Sequence, residues 1–203
     1  MVPLGLAPDS ALLTHPAPGA WTYADWERLP ADGNRYEVVG GVLYMTTAPS
    51  NFHQWIVQVL VEYIALPARQ RGLAYSFFAP IGVLMDGCDP VQPDFVVIRR
   101  ERAHIIREGR IRGVPDLIIE VLSPSNRAYD EQTKRAAYAQ AGVPEYALID
   151  PAARALRLYR LTEAGAYAEV AYATATDSIS FACLPDILLP IAALFAGAPD
   201  TTL

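Results

Sequence analysis

The chain has 203 residues and a mass of 22.1 kDa, a length that suits one compact domain burying roughly 70% of its unfolded surface. Hydrophobic residues at 52% and charged residues at 19% exclude a disordered or fibrous chain, and apolar runs such as Leu117 to Leu122 are too short to cross a bilayer. A formal net charge of −6, with a sequence pI near 5.0, argues against a non-specific nucleic-acid coat.

Residues 1–20 carry Pro and Ala without periodicity and read as a loose N-terminal arm, with a single domain expected over 21–203. No basic start with a long apolar stretch stands near Met1. Cys88 and Cys183 are far apart and in no metal-ligand spacing, so a soluble protein of a reducing cytoplasm is expected. Thr22 with Asp25 three residues on predicts a capped short helix ending before Pro30. Tyr36 to Val39 and Val42 to Met45 flank Gly40-Gly41, a two-residue hairpin signal. Pro49-Ser50 opens the longest helix, Asn51 to about Arg71, with Phe52, Ile56, Val59, Leu60 and Tyr63 as its apolar stripe.

Strands follow at Leu73 to Phe78 and Ile81 to Met85, then a turn at Asp86 to Pro90. Phe95 to Ile98 and Leu117 to Leu122 are apolar on both faces, as in central strands of a covered sheet. A helix over Asp130 to Ala141 stops at Gly142, and Glu145 to Ile149, Ala155 to Leu161, Tyr167 to Ala173 and Ser178 to Phe181 read as strands. Pro190, taken as the first helical residue, starts a short helix through Phe195. The pattern is mixed α/β, a sheet covered by at least two helices.

Two charge features stand out. Arg99, Arg100, Arg102, Arg107, Arg110 and Arg112 sit in one segment with two Glu, a local excess of +4. Such a run is either a solvated face laced with Glu–Arg pairs or a contact for phosphates. Fifteen of the sixteen basic residues are Arg, and Lys134 is the one Lys. A chain that keeps one ammonium either retains it by chance or needs a point charge that a guanidinium fork does not supply.

Polar residues interrupt the apolar strands at Asp94 and Glu120. An unpaired buried carboxylate costs several kcal/mol, so Glu120 needs a cation, a proton or donors, and a structural salt bridge is one answer. Asp116, four residues earlier on the same strand, lies roughly 13 Å away, too far to share one ion with Glu120. Asp94, from another strand, can lie alongside at the roughly 4.8 Å strand spacing. Asp130, Lys134 and Tyr138 follow at i, i+4 and i+8 on one helix face, which can be aimed at that pair or be an ordinary helix with an ion pair. Paired oxygen ligands suit Mg²⁺ or Mn²⁺, which polarises a phosphoryl oxygen and acidifies bound water, while the Lys134 ammonium orients that water.

In order along the chain stand Tyr36-Glu37-Val38-Val39-Gly40-Gly41, Ala48-Pro49-Ser50 with His53, Gln92-Pro93-Asp94 and Pro115-Asp116-Leu117-Ile118-Ile119-Glu120-Val121-Leu122-Ser123-Pro124-Ser125. Asp130, Lys134, Tyr138, Gly142-Val143-Pro144-Glu145-Tyr146 and Asp150-Pro151 come after them. The ordered set resembles the Uma-type restriction-endonuclease-like family of bacteria, a branch of the PD-(D/E)XK nuclease superfamily, over about Tyr36 to Leu161. The resemblance implies a restriction-endonuclease-like core, a mixed central sheet with helices on both faces and an N-terminal β-hairpin extension. It implies Asp94 and Glu120 as catalytic metal ligands, with Glu37 as a further acidic position. Leu122 stands where the superfamily carries Lys, and Lys134 would be the migrated equivalent.

His53 falls on the inward face of the long helix, either as a satisfied core histidine or near the scissile phosphate. Gln92 is either a neighbour of the site or a strand-end cap, Tyr138 either packing or a supporting group of the site together with Asp130, and Asp150 reads as turn chemistry. The resulting expectation is a metal-dependent endonuclease acting on DNA, with a homodimer as a candidate assembly and no membrane. Two rivals stay open: a nuclease fold without turnover that binds nucleic acid or regulates, and an oligomerising protein whose charges make structural pairs.

Overall fold

The computed structural model describes residues 16–30, 32, 34–46 and 48–203, so the expected arm lies outside the described residues as far as residue 15. Beyond it, Gly19 and Trp21 donate their backbone N–H groups to the Gly41 carbonyl at 2.8 and 3.0 Å. Helix α1 (Tyr23–Trp26) opens on the expected reciprocal capping box of Thr22 and Asp25. Strands β1 (Arg35–Val39) and β2 (Val42–Thr46) meet at Gly40-Gly41, whose φ angles of +57° and +70° are the pair a type I′ turn demands. A Cβ on Gly41 would also run into the Gly19 backbone.

Helix α2 (Asn51–Leu60) is capped by Ser50, whose hydroxyl accepts from the His53 backbone N–H. It continues through a π turn, Val61–Ala65, into α3 (Leu66–Gln70). Pro67 explains the wide turn. It has no N–H to donate and its ring crowds the carbonyl four residues back, so the chain unwinds by one residue and Leu66 N–H reaches Val61.

Strands β3 (Ala74–Phe78), β4 (Val83–Met85), β5 (Cys88–Val91) and β6 (Phe95–Arg99) follow. A 3₁₀ segment, Arg100–Ile105, leads to β7 (Ile106–Arg107), β8 (Arg110–Arg112) and β9 (Leu117–Val121). A second π turn, Tyr129–Lys134, winds into α4 (Arg135–Ala141), which stops at left-handed Gly142. Strands β10 (Glu145–Asp150), β11 (Ala155–Leu161), β12 (Tyr167–Ala173), β13 (Ser178–Phe181) and β14 (Leu184–Pro190) precede α5 (Ile191–Phe195).

The central sheet has the order β12-β11-β10-β9-β6-β3 and is mixed, since only β9 and β10 run parallel. A second sheet has the order β2-β1-β5-β4-β8-β7, so the N-terminal hairpin forms one of its edges. Period-2 alternation divides the central strands between two cores. Phe95, Val97, Leu117, Ile119 and Ile149 pack with α2, α5 and the β13-β14 hairpin. Val96, Ile98, Ile118, Tyr146 and Leu148 face Tyr138 of α4 and the second sheet. A mixed sheet thus carries helices on both faces. No helix among the described residues is long and apolar enough to cross a membrane.

Three local expectations are corrected. The turn placed at Asp86 to Pro90 closes earlier, because Cys88 pairs with both Val39 and Met85 and Val91 pairs with Val83; the Asp-Pro composition masks a buried strand. Leu184–Pro190 is a strand that its Pro-Asp pair concealed. Pro190 ends that strand and caps α5 from outside, with extended ψ, rather than occupying its first turn.

Candidate active site

Phe95 pairs with Ile119 across β6 and β9, so the residues next to them, Asp94 and Glu120, stand side by side on the face turned toward α4. The Asp94 backbone N–H donates to Glu120 Oε2 at 3.2 Å, and the Val121 N–H donates to Asp94 Oδ2 at 2.9 Å. Both carboxylates are buried. The π turn and α4 bring Lys134 over them: its Nζ lies 2.9 Å from Glu120 Oε1, 3.2 Å from Glu37 Oε1 and 3.5 Å from Asp130 Oδ1. Tyr138, one turn on, donates its hydroxyl to Glu120 Oε1 at 2.9 Å, so it positions that carboxylate as well as packing.

From the second sheet, β1 contributes Glu37, whose Oε1 accepts the Gln92 backbone N–H at 2.6 Å. The Gln92 side chain donates to the Tyr36 carbonyl, the behaviour of a strand-end cap. Arg35, two residues before Glu37 and therefore on the same strand face, places its guanidinium against Asp94 Oδ1 and the Gln92 carbonyl. The sequence reading did not single out Arg35; its spacing to Glu37 is the signal that would have found it. From α2, His53 Nε2 lies 3.0 Å from Asp94 Oδ2.

Burial raises the Asp94 carboxyl, but His53 and Arg35 outweigh it and hold the group well below the usual carboxylate range. Glu120 is pushed well up by burial and by Asp94, Asp130 and Glu37, against the pull of Lys134. Asp130 is pushed up to about 7, chiefly by burial, despite Lys134 beside it. Lys134 stays charged, because the three carboxylates raise its pKa more than burial lowers it.

These shifts carry a sign for stability. Between about pH 4 and 7 the folded protein retains more of the Asp130 proton than the unfolded chain does, and the upward shift of Glu120 acts in the same direction, so stability falls as pH rises through that window. Asp94 acts oppositely, its contribution being present above the unfolded value of 3.8 and lost as pH falls below it. The urea midpoint, followed without metal from about pH 4.5 to 7.5, is expected to decline steadily; a midpoint that climbs over that range contradicts this electrostatic account.

Four carboxylates, Glu37, Asp94, Glu120 and Asp130, thus meet two fixed cations, Arg35 and Lys134. Two negative charges are left over when all four are ionised and His53 is neutral. Glu37 Oε2 is buried with no hydrogen-bond partner among the described residues. No three His, Cys, Asp or Glu side chains among those residues form a ready-made metal cage. The surplus charge, the all-oxygen donors and the orphaned carboxylate oxygen nonetheless fit a hard divalent cation. Asp94, Glu120 and Lys134 line a cavity of about 380 Å³, together with Arg35, His53 and the Ser123–Asn126 loop.

The other sequence candidates lie elsewhere. Asp116 accepts the Arg99 backbone N–H at 2.9 Å and pairs with Arg99 and Arg102 at 3.3 and 2.8 Å. Arg112 pairs with Glu108, and Arg110 and Arg112 sit over the Trp26 and Tyr23 rings. Arg99 and Arg100 mark the end of β6 away from Asp94, and none of the six arginines, Arg107 included, lines the cavity. Asp150 takes both Arg127 nitrogens at 2.8 and 2.9 Å and the N–H groups of Ala152 and Ala153, which is turn chemistry.

Comparison with known proteins bears on the family and the fold. A family model, Uma2, described as "Putative restriction endonuclease", matches residues 22–192. The fold is similar to the crystal structure of "a putative nuclease belonging to DUF820" from Anabaena variabilis, with a TM-score of 0.71 and 21% identity. That match covers 86% of this chain and 97% of the other. No curated protein matches the sequence.

Proposed function

The chain belongs to the Uma2 family, and on that footing we propose that it is a metal-dependent endonuclease that hydrolyses DNA phosphodiester bonds beside Asp94, with Mg²⁺ or Mn²⁺ as cofactor. The observation that carries the reading is a buried, over-acidic carboxylate cluster built around the chain's one lysine, at the wall of an open cavity.

Asp94, Glu120 and Glu37 would hold the ion, helped by the Val121 carbonyl. When bound, such an ion polarises a phosphoryl oxygen and lowers the pKa of an attached water. Lys134 fixes Glu120 and Glu37 in place, and its longest contact, 3.5 Å to Asp130, is the one most easily exchanged for the attacking water and the charge growing on phosphorus. Arg35, His53 and the Val121 N–H together set the orientation of the Asp94 carboxylate. Leu122 leaves β9 without the superfamily lysine, and the 2.9 Å contact of Lys134 with Glu120 supports migration of that charge to the following helix. The exposed arginines of the segment, Arg99, Arg100 and Arg107, would contact the nucleic-acid backbone away from the scissile bond. Both cysteines are free, with thiols pushed up to about 12 by burial, which suits a reducing cytoplasm.

DNA incubated with the purified protein, offered both as single strands and as supercoiled duplex, should be cut in Mg²⁺ or Mn²⁺, left intact in EDTA, and spared by Asp94→Ala and Lys134→Ala. Cleavage that survives both substitutions rules out this site. The engagement of both Asp94 and Glu120 with cations and donors favours a second reading, a nuclease fold that binds DNA without turnover. Salt-sensitive DNA binding with no metal-dependent cleavage would establish it.

A further inference from the structure

A second cavity, of about 470 Å³, is lined by Asp94 but not by Lys134. It shares Arg35, Ala48, Pro49, His53 and Asp94 with the first, so the two flank the same carboxylate. Its other walls are Val57, Ala79 and Pro80, and three carboxamides, Asn34, Gln54 and Gln92, converge on it. A third cavity, also about 470 Å³, shares Gln54 and Val57 with the second and is walled by Trp55 and the half-exposed Phe78.

The chemistry along this track does not suit a duplex. Two phosphate backbones need several cations beside the groove, whereas among the described residues Arg35 is the one Arg or Lys lining the second cavity and the third has neither. Apolar walls beside carboxamides suit a nucleobase, whose faces are apolar and whose edges carry donors and acceptors. An aromatic ring on the next wall suits the neighbouring base, since stacking is tolerant of sequence.

We propose that the second cavity seats an unpaired nucleobase of the substrate strand, next to the phosphate at Asp94, and that the following base stacks on Phe78 and Trp55. The inference rests on the nuclease reading and deepens it: the strand is single, or locally unpaired, where it crosses the site.

Fluorescence anisotropy with a short labelled DNA, in Ca²⁺ to hold off cleavage, tests it. The single strand should bind at least about tenfold tighter than a blunt duplex of the same sequence. A strand with an abasic site at the seated position should lose about tenfold, because stacking is worth about 1–3 kcal/mol per base. Gln54→Trp, which fills the second cavity from an exposed helix position, should weaken single-strand binding about tenfold, and Phe78→Ala about fivefold. Both sites lie at the surface, and unchanged melting temperatures would confirm intact folding. Equal or tighter duplex binding, or wild-type affinity in both variants, overturns the base seat. Cleavage of duplex by the wild type under those outcomes leaves the nuclease reading standing, while no binding and no cleavage of either form overturns both.

Discussion

Lys134→Met should lower the unfolding free energy by about 3–5 kcal/mol and abolish cleavage. The ammonium is buried, and it is the cation shared by Glu37, Glu120 and Asp130. Removing it strips three desolvated carboxylates of their common partner, and leaving a buried charge uncompensated is far costlier than a well-made ion pair is stabilising. Part of the loss will be recovered by protonation of Glu120 and Asp130, both already displaced upward. The deficit should therefore shrink as pH is lowered toward about 5. Lys134→Arg keeps the charge but replaces a compact point by a planar fork, so it should regain stability without regaining turnover. Urea denaturation read beside the cleavage assay separates the two effects; a Met variant within about 1 kcal/mol of wild type would refute the shared-cation picture.

Asp94→Asn should cost at least about a thousandfold in cleavage rate, the scale on which one preorganised electrostatic group acts. Its effect on stability should be smaller, about 1–3 kcal/mol, because the amide oxygen can still accept from Val121 while its NH₂ opposes Arg35. Asp116→Asn is the matched control. Asp116 is equally buried, but it serves Arg99 and Arg102 at the far end of the strand, roughly 13 Å from Glu120. It should lose a similar amount of stability and leave turnover in place. Equal catalytic loss in the two variants would mean that Asp94 acts through folding alone.

The sequence made these two aspartates distinguishable because strand geometry is simple: same-strand spacing separates Asp116 from Glu120, and register can unite Asp94 with it. The long helices, the Gly40-Gly41 hairpin and the bounds of β11, β12 and β13 were legible for the same reason, since local periodicity and turn chemistry determine them. β5 and β14 were not, because burial and pairing from distant strands override the turn-forming character of Asp89-Pro90 and Pro185-Asp186. Nor did the arginine segment behave as one patch. The chain turns between Arg102 and Arg110, and Arg99, Arg102, Arg110 and Arg112 each find their own carboxylate, carbonyl or ring, while Arg107 stays exposed. Arg35 was invisible because a hairpin signal alone does not show that β1 also pairs with β5 in a second sheet that closes over the site.

That closure has a mechanical side. Arg35 and Glu37 belong to one sheet, Asp94 and Glu120 to the other, and Lys134 bridges them from a helix between the layers. The proposed chemistry is thus housed in the rivet that fastens the two layers. Any motion that parts them at this mouth would disassemble the proposed centre before the hydrophobic interior is disturbed, so loss of activity would be an early symptom of partial opening and ion loading would tighten the whole seam.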